Sequence, residues 1–146
     1  MSARVVVVEQ PGEAHRMAVL APLMGFNADN GFPADSLTVA IVIEEEEGAA
    51  PTGGLWGRTG YGWLYVDYLI VPERLRGTGI GSELMKAAEA IARERGCVGA
   101  WLTTFTFQAR GFYEKLGYRV FAELEDSPAG NTRMFLRKRF DEAASA

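Results

Sequence analysis

In the stretch RLRGTGIGSELM, residues 74–85, Gly77, Gly79 and Gly81 stand at every second position behind Arg74 and Arg76. Glycine where a helix begins lets backbone approach a ligand closely or take a positive φ. A helix N-terminus offers unpaired N–H groups and the positive end of the helix dipole, which together suit an anion. The chemistry this spacing could do is therefore the holding of a phosphate-bearing ligand. Three loop types compete. A Walker loop needs G-x-x-x-x-G-K-[ST], and the segment offers Glu83 and no lysine. The dinucleotide fingerprint G-x-G-x-x-G matches at Gly77 and Gly79 but meets Ser82 at its third glycine, and no acidic residue closes a second strand at the expected distance. The pattern [QR]-x-x-G-x-[GA] is satisfied by Arg76, Gly79 and Gly81.

Few other side chains could carry chemistry of their own. Cys97 is the only cysteine and His15 the only histidine. No intrachain disulfide, cysteine metal cluster or Ser-His-Asp site is expected, and no metal. The 146 residues fit a single domain, residues 1–146, and 48% hydrophobic with 23% charged residues is an ordinary globular mixture. A net charge of −4 argues against nucleic-acid and membrane partners. The cations Arg74, Arg76, Lys86, Arg93, Arg95, Arg110, Lys115 and Arg119 gather in the second half, where an anion would sit better. Glu44, Glu45, Glu46 and Glu47 form an acidic run that reads as a solvated hairpin end. No stretch approaches the roughly 20 apolar residues of a membrane span, and the first apolar run is too short for a signal peptide. A cytoplasmic location is expected.

The elements that must position the loop follow from periodicity. RVVVVE, residues 4–9, is β-branched and reads as a strand. Residues 11–27 read as a helix that starts at Pro11, with Pro22 ending or kinking it. Residues 36–47 read as a strand running into charge. Residues 54–58 and 61–71 read as two strands about a turn at Thr59-Gly60, the second ended by Pro72. Residues 82–95 carry Leu84, Ala87, Ala88 and Ile91 on one helical face, with Gly96 as the stop. Residues 97–105 read as a strand and residues 108–117 as a short helix stopped by Gly117. YRVFAEL and RMFLRKRF read as closing strands about the turn EDSPAGN. Three consecutive strands argue against a fully parallel wound sheet and for a mixed α/β layer.

The loop's place, between a strand ending in Val71-Pro72 and an amphipathic helix, resembles the coenzyme A-binding segment of the GCN5-related N-acetyltransferase (GNAT) superfamily. ARGFYEKLGYRVF, residues 109–121, resembles that superfamily's second motif, A-x-x-F-Y-x-x-x-G-[FY]. The segments GWLYVDYLIV, RGTGIGSELM, ERGC and LTTFTFQARGFYEKLGY are similar to a bacterial subgroup of it. The resemblance implies an α/β (α+β) fold with a mixed, mainly antiparallel sheet of six to seven strands flanked by helices. It implies an acetyl-CoA-dependent transfer of an acetyl group to a primary amine of a small molecule or peptide, by direct attack in a ternary complex. A non-catalytic acyl-CoA-binding sensor is the alternative. A homodimer is one of the states that related folds adopt.

The resemblance also assigns residues. The backbone of Gly77, Thr78, Gly79, Ile80, Gly81 and Ser82 would face the coenzyme pyrophosphate, with Arg76 and Arg74 near phosphate oxygens. Gly81 alone could instead serve close helix packing. Leu69, Ile70 and Val71 would offer backbone to the pantetheine arm, a form of strand addition. That requires their strand to part from residues 97–105, and a bulge is the usual device. An N–H freed there could stabilise an oxyanion. Tyr113 is the catalytic candidate: a phenol with a pKa of about 10 could protonate a leaving thiolate whose acid has a pKa of about 8.5. Asp67, placed with Tyr65 and Leu69 by the period of two, could be the base that receives the amine's proton, or the half of a structural salt bridge. Many superfamily members have asparagine where Thr106 stands, so Thr106 or Gln108 would replace its contact. Phe105, Phe107, Trp56 and Trp63 could line an acceptor pocket, which the segment around Asn27 would cover.

Overall fold

Six of the strands legible in the sequence form, and the first does not. The computed structural model describes residues 2–108 and 110–142. The chain divides into two units, one running to Ala34 and one from Asp35 onward. The first unit holds helix α1 (Glu13–Asp29). The second holds β1 (Leu37–Ile43), β2 (Gly53–Gly60), β3 (Trp63–Ile70), a short 3-10 turn (Glu73–Leu75), α2 (Ile80–Glu94), β4 (Gly99–Phe105), α3 (Arg110–Lys115), β5 (Arg119–Glu125) and β6 (Thr132–Arg139).

The strands form one sheet in the order β1-β2-β3-β4-β6-β5. Every neighbouring pair is antiparallel except β3–β4, which is parallel. The expected mixed, mainly antiparallel class is therefore correct, with six strands. α2 supplies the other layer: Leu84, Met85, Ala88 and Ala92 are buried in one core with Val39, Leu64, Val66, Leu102 and Leu136 of the sheet.

Several boundaries differ from the expectation, each for a physical reason. The valine tract of residues 4–9 forms no strand. β-propensity measures fit to a pleated surface, and the described residues of the unit that holds the tract include no strand. α1 runs through Pro22 to Asp29. Proline deprives only the Ala18 carbonyl of its helical donor, and Ala18 is exposed, so water can serve that oxygen. The β2–β3 turn falls at Tyr61-Gly62, not Thr59-Gly60: φ is 48° at Tyr61 and 83° at Gly62, and two positive φ values are what a tight hairpin of right-twisted strands requires. β1 ends at Ile43, before the acidic run, and α2 starts two residues before Ser82.

Candidate active site

The site begins at an irregularity in β3. Trp56 pairs with Tyr68 and Gly57 with Val66, so Asp67 is an extra residue without a partner on β2. Such a bulge reverses the alternation of side chains. Leu64 and Val66 are buried, and beyond the bulge Leu69 rejoins them against the core while Tyr68 and Ile70 are 72% and 56% exposed. The period-of-two reading that put Leu69 on the face of Tyr65 is thereby corrected. The sequence did hold a sign of the bulge in Gly57. A Cβ there would lie 2.4 Å from the Tyr65 carbonyl oxygen, and glycine inside a strand marks such close approach.

The parallel pairing of β3 with β4 runs from Trp63 with Gly99 to Val66 with Leu102 and stops there. Past the bulge the strands part around a cleft of about 830 Å³. Asp67, Tyr68, Leu69, Ile70 and Val71 line one side, Leu102, Thr103 and Thr104 the other, and Arg76, Phe107, Gln108, Phe112 and Tyr113 complete the walls.

Beyond Val71 the glycine loop turns into α2. Gly77 and Gly79 have φ of 80° and 90°, which only glycine adopts without strain. Gly79 is the N-cap and has no side chain to cap with. The first helical bond runs from Glu83 N to Gly79 O at 3.0 Å, so the N–H groups of Ile80, Gly81 and Ser82 precede it and lack intrahelical partners. That is a ready anion site. The Thr78 hydroxyl turns back to the Leu75 carbonyl. Gly81 has a second reason to be glycine: a Cβ would lie 3.1 Å from the Phe112 ring. Arg76 donates from Nε to the Val71 carbonyl at 3.1 Å, which holds its guanidinium at the cleft. Arg74 does not share that role. It grips both carboxylate oxygens of Glu45, and this contact, with Thr52, holds the Glu45 carboxyl below its ordinary pKa.

Tyr113 is positioned by α3 and the turn after it. Its carbonyl accepts from Leu116 N at 3.0 Å and Tyr118 N at 3.1 Å. Its ring packs edge-on against Phe112 at 5.0 Å and Tyr118 at 6.2 Å. Burial pushes the Tyr113 phenol above its usual pKa. Beneath it, buried Glu89 of α2 accepts from the Tyr118 hydroxyl at 2.9 Å and from Lys138 Nζ at 2.8 Å. This network ties α2, the turn between α3 and β5, and β6 together and was not singled out from the sequence.

The other expected residues divide. Gln108 reaches the cleft, its Oε1 accepting from the Thr104 hydroxyl at 3.1 Å and Phe105 N at 3.0 Å. Its amide NH₂ is the group left for a ligand. Thr106 is not among the lining residues: its hydroxyl donates to Asn131 Oδ1 at 3.0 Å and accepts from Thr132 N at 3.2 Å. Phe107 lines the cleft and stacks on Phe105 at 5.2 Å. Trp63 lines a different, apolar depression with Trp101 and Phe121, and Trp56 is half-exposed on β2. Asn27 lies in α1, in the other unit. Ala109, the first residue of the second motif, lies outside the described residues. Among the described residues no cluster of His, Cys, Asp or Glu could hold a metal ion, and no helix is long and apolar enough to cross a membrane.

A sheet parted at a bulge, beside a helix that opens on uncapped N–H groups, can seat an extended ligand that carries a phosphate group. Residues 12–118 match the acetyltransferase (GNAT) family. The chain is 38% identical over 123 residues to acetyltransferase Atu2258 of Agrobacterium fabrum, covering 84% of this chain and 89% of that one. It is 48% identical over 87 residues to the blasticidin-S acetyltransferase of Streptomyces morookaense, covering 59% and 64%. Among solved structures, an acetyltransferase from Bacillus cereus superposes with a TM-score of 0.79 at 32% identity, covering 92% of this chain and 98% of that one. The chain belongs to the acetyltransferase (GNAT) family and is an N-acetyltransferase.

Proposed function

We propose that the protein moves an acetyl group from acetyl-CoA to a primary amine of a small molecule, by direct attack with both substrates bound. The observation that carries this reading is the gap between β3 and β4, with Tyr113 and Arg76 in its wall and Gly81 of α2 beside its lining residues Phe112 and Val71. The match to the family spans the boundary between the two units, which supports a single acetyltransferase domain. The likeness to a blasticidin-S acetyltransferase supports a small-molecule acceptor over a peptide.

In this reading the N–H groups of Ile80, Gly81 and Ser82, with Arg76, hold the pyrophosphate. Gly77, Thr78 and Gly79 shape the turn that presents them. The unpaired edge of β3 at Leu69, Ile70 and Val71 receives the pantetheine amides, and the Gln108 amide adds a donor from the opposite wall. The thioester then lies where the strands part. A main-chain N–H of the freed stretch polarises its carbonyl. Asp67, held at the bulge by Arg58, draws in the acceptor ammonium and receives its proton. The neutral nitrogen attacks the thioester carbon, the C–S bond breaks as the Tyr113 phenol gives its proton to the departing sulfur, and the attacking nitrogen's second proton returns through water to the Tyr113 phenolate as the amide forms. A phenol kept protonated by burial suits that task.

The test is a panel of small amines incubated with the protein and acetyl-CoA, read by the appearance of free thiol and by the mass of the acetylated product. Thiol release that depends on a particular amine is expected. Coenzyme A binding without amine-dependent release across the panel would overturn the reading.

A further inference from the structure

One positive charge on the sheet face away from α2 meets no negative one. Met134 and Leu136 of β6 and Leu102 of β4 are buried in the core, so Arg133 and Phe135, with Thr103 and Phe105, project from the other face. Arg133 pairs with Phe105 on one side and with Leu124 of β5 on the other, and neither neighbour is acidic. Its guanidinium carbon sits 5.6 Å from the centres of both the Phe105 and Phe135 rings. Nη2 donates to the Thr103 hydroxyl at 3.0 Å, and Nε is buried without a hydrogen-bond partner. Among the described residues no carboxylate pairs with this guanidinium. A desolvated donor left unmade is costly, and the planar arginine fork matches a carboxylate.

The guanidinium lies against the cleft. Thr103, which accepts from it, lines the cleft, and Phe105 stacks on Phe107, which lines it too. Val66 and Leu102 are the last pair before β3 and β4 separate, so Asp67 and Thr103, which follow them, face each other across the parting. Arg58 holds the Asp67 carboxylate beside the Tyr65 ring, and Tyr65 packs on Trp101 of the same face. A negative group therefore stands on β3 and a positive one reaches over β4. Their separation is one strand spacing of about 5 Å widened by the parting. We propose that Arg133 binds a carboxylate of the acceptor. The acceptor is then a small molecule that carries a primary amine and, a few bonds away, a carboxylate. The inference rests on the acetyl-transfer reading and deepens it by naming the acceptor's second group. With the amine at Asp67 and the carboxylate at Arg133, the nitrogen is held in one orientation toward the thioester. The two phenyl rings keep water from the guanidinium, which strengthens a charge pair formed there. An amine without an anion would leave Arg133 unmatched and bind less well.

The probes are the ω-amino acids from 3-aminopropanoate to 6-aminohexanoate, each set beside its carboxamide, which keeps the amine and the size and removes the charge. With acetyl-CoA, at least one acid should show a kcat/KM about tenfold to a hundredfold above that of its carboxamide, chiefly through KM. Arg133→Gln should bring that ratio close to one, and Arg133→Lys should keep part of it. A merely structural role would lower both members of a pair together and leave the ratio where it was. Binding is read separately by the nitrogen-15 signal of the Arg133 Nε–H group, assigned by its absence from Arg133→Lys. In the presence of coenzyme A that signal should shift on titration with the acid and stay in place with the carboxamide. A shift without any thiol release would sink the acetyl-transfer reading and leave the carboxylate site standing. Thiol release at equal rates from acids and carboxamides, a ratio that Arg133→Gln leaves unchanged, or no shift at any chain length would overturn the proposal.

Discussion

Arg58 Nη1 lies 2.8 Å from Asp67 Oδ1, and the same guanidinium sits 4.7 Å from the centre of the Tyr65 ring. The bulge residue is thus anchored from β2 across the face of β3, at the point where the strands part. The pair could serve the chemistry or only the bulge, and substitutions separate these roles. Asp67→Asn should lower kcat by about 10²-fold, with coenzyme affinity unchanged. Arg58→Gln should leave kcat within a few-fold and cost at most about 1 kcal/mol of stability, because Arg58 is half-exposed. Steady-state kinetics and thermal melts check both. Equal losses of stability in the two variants, with kcat untouched, would make Asp67 a structural partner only.

Tyr113→Phe removes one oxygen and keeps the ring packing against Phe112 and Tyr118. Folding and coenzyme binding should stay near wild type, while turnover falls by about 10²–10⁴-fold. Burial raises the Tyr113 pKa, so the wild-type rate should hold through pH of about 10, where an ordinary tyrosine ionises, and decline only above it. The variant should lack that limb. Unchanged kcat, with chemistry shown to be rate-limiting, would falsify the general-acid role.

The loop glycines should fail differently. Gly79→Ala meets no atom within 4 Å but must hold φ of 90°, at a cost of about 1–2 kcal/mol. It should weaken coenzyme A binding as the N–H groups it precedes are re-aimed. Gly81→Leu instead drives a side chain into the Phe112 ring, costing about 1–3 kcal/mol and displacing the helix that carries Tyr113. Its larger effect should be on kcat. Calorimetric titration with coenzyme A, alongside kinetics, distinguishes the two.

Glu89→Ala would leave the Tyr118 hydroxyl and Lys138 without their shared acceptor, and should cost about 2–4 kcal/mol by chemical denaturation. Tyr118→Phe removes one hydrogen bond and should cost about 1 kcal/mol. If Glu89→Ala melts like wild type, the network does not bind α2 to β6.

Alkaline stability follows from the same burial. Tyr113 and Tyr118 both have pKa values raised in the folded chain, whereas an unfolded tyrosine ionises near pH of about 10. Above that value the unfolded chain binds fewer protons than the folded one, so stability should fall as pH rises. Denaturation curves at increasing pH should show the loss start near 10 and shrink in a Tyr113→Phe, Tyr118→Phe double variant.

The alternation of glycines at 77, 79 and 81, the Phe-Tyr pair before Gly117 and the stops at Pro72 and Gly96 were legible because their causes are local. A positive φ, a missing N–H or a helical stripe is written in a few neighbouring residues. The glycine loop, the helix after it and the class of sheet therefore came from the sequence alone. The fate of the valines at 5–8 did not, because a strand exists only beside another strand. Nor could one strand tell that Asp67 is the extra residue. The bulge is a mismatch between β2 and β3, and it alone moves Leu69 to the core face. Arg74 beside Glu45 and Thr106 beside Asn131 were decided in the same way. A flexible polar side chain chooses among partners brought near by the whole fold, and those partners lie 29 and 25 residues away in the chain.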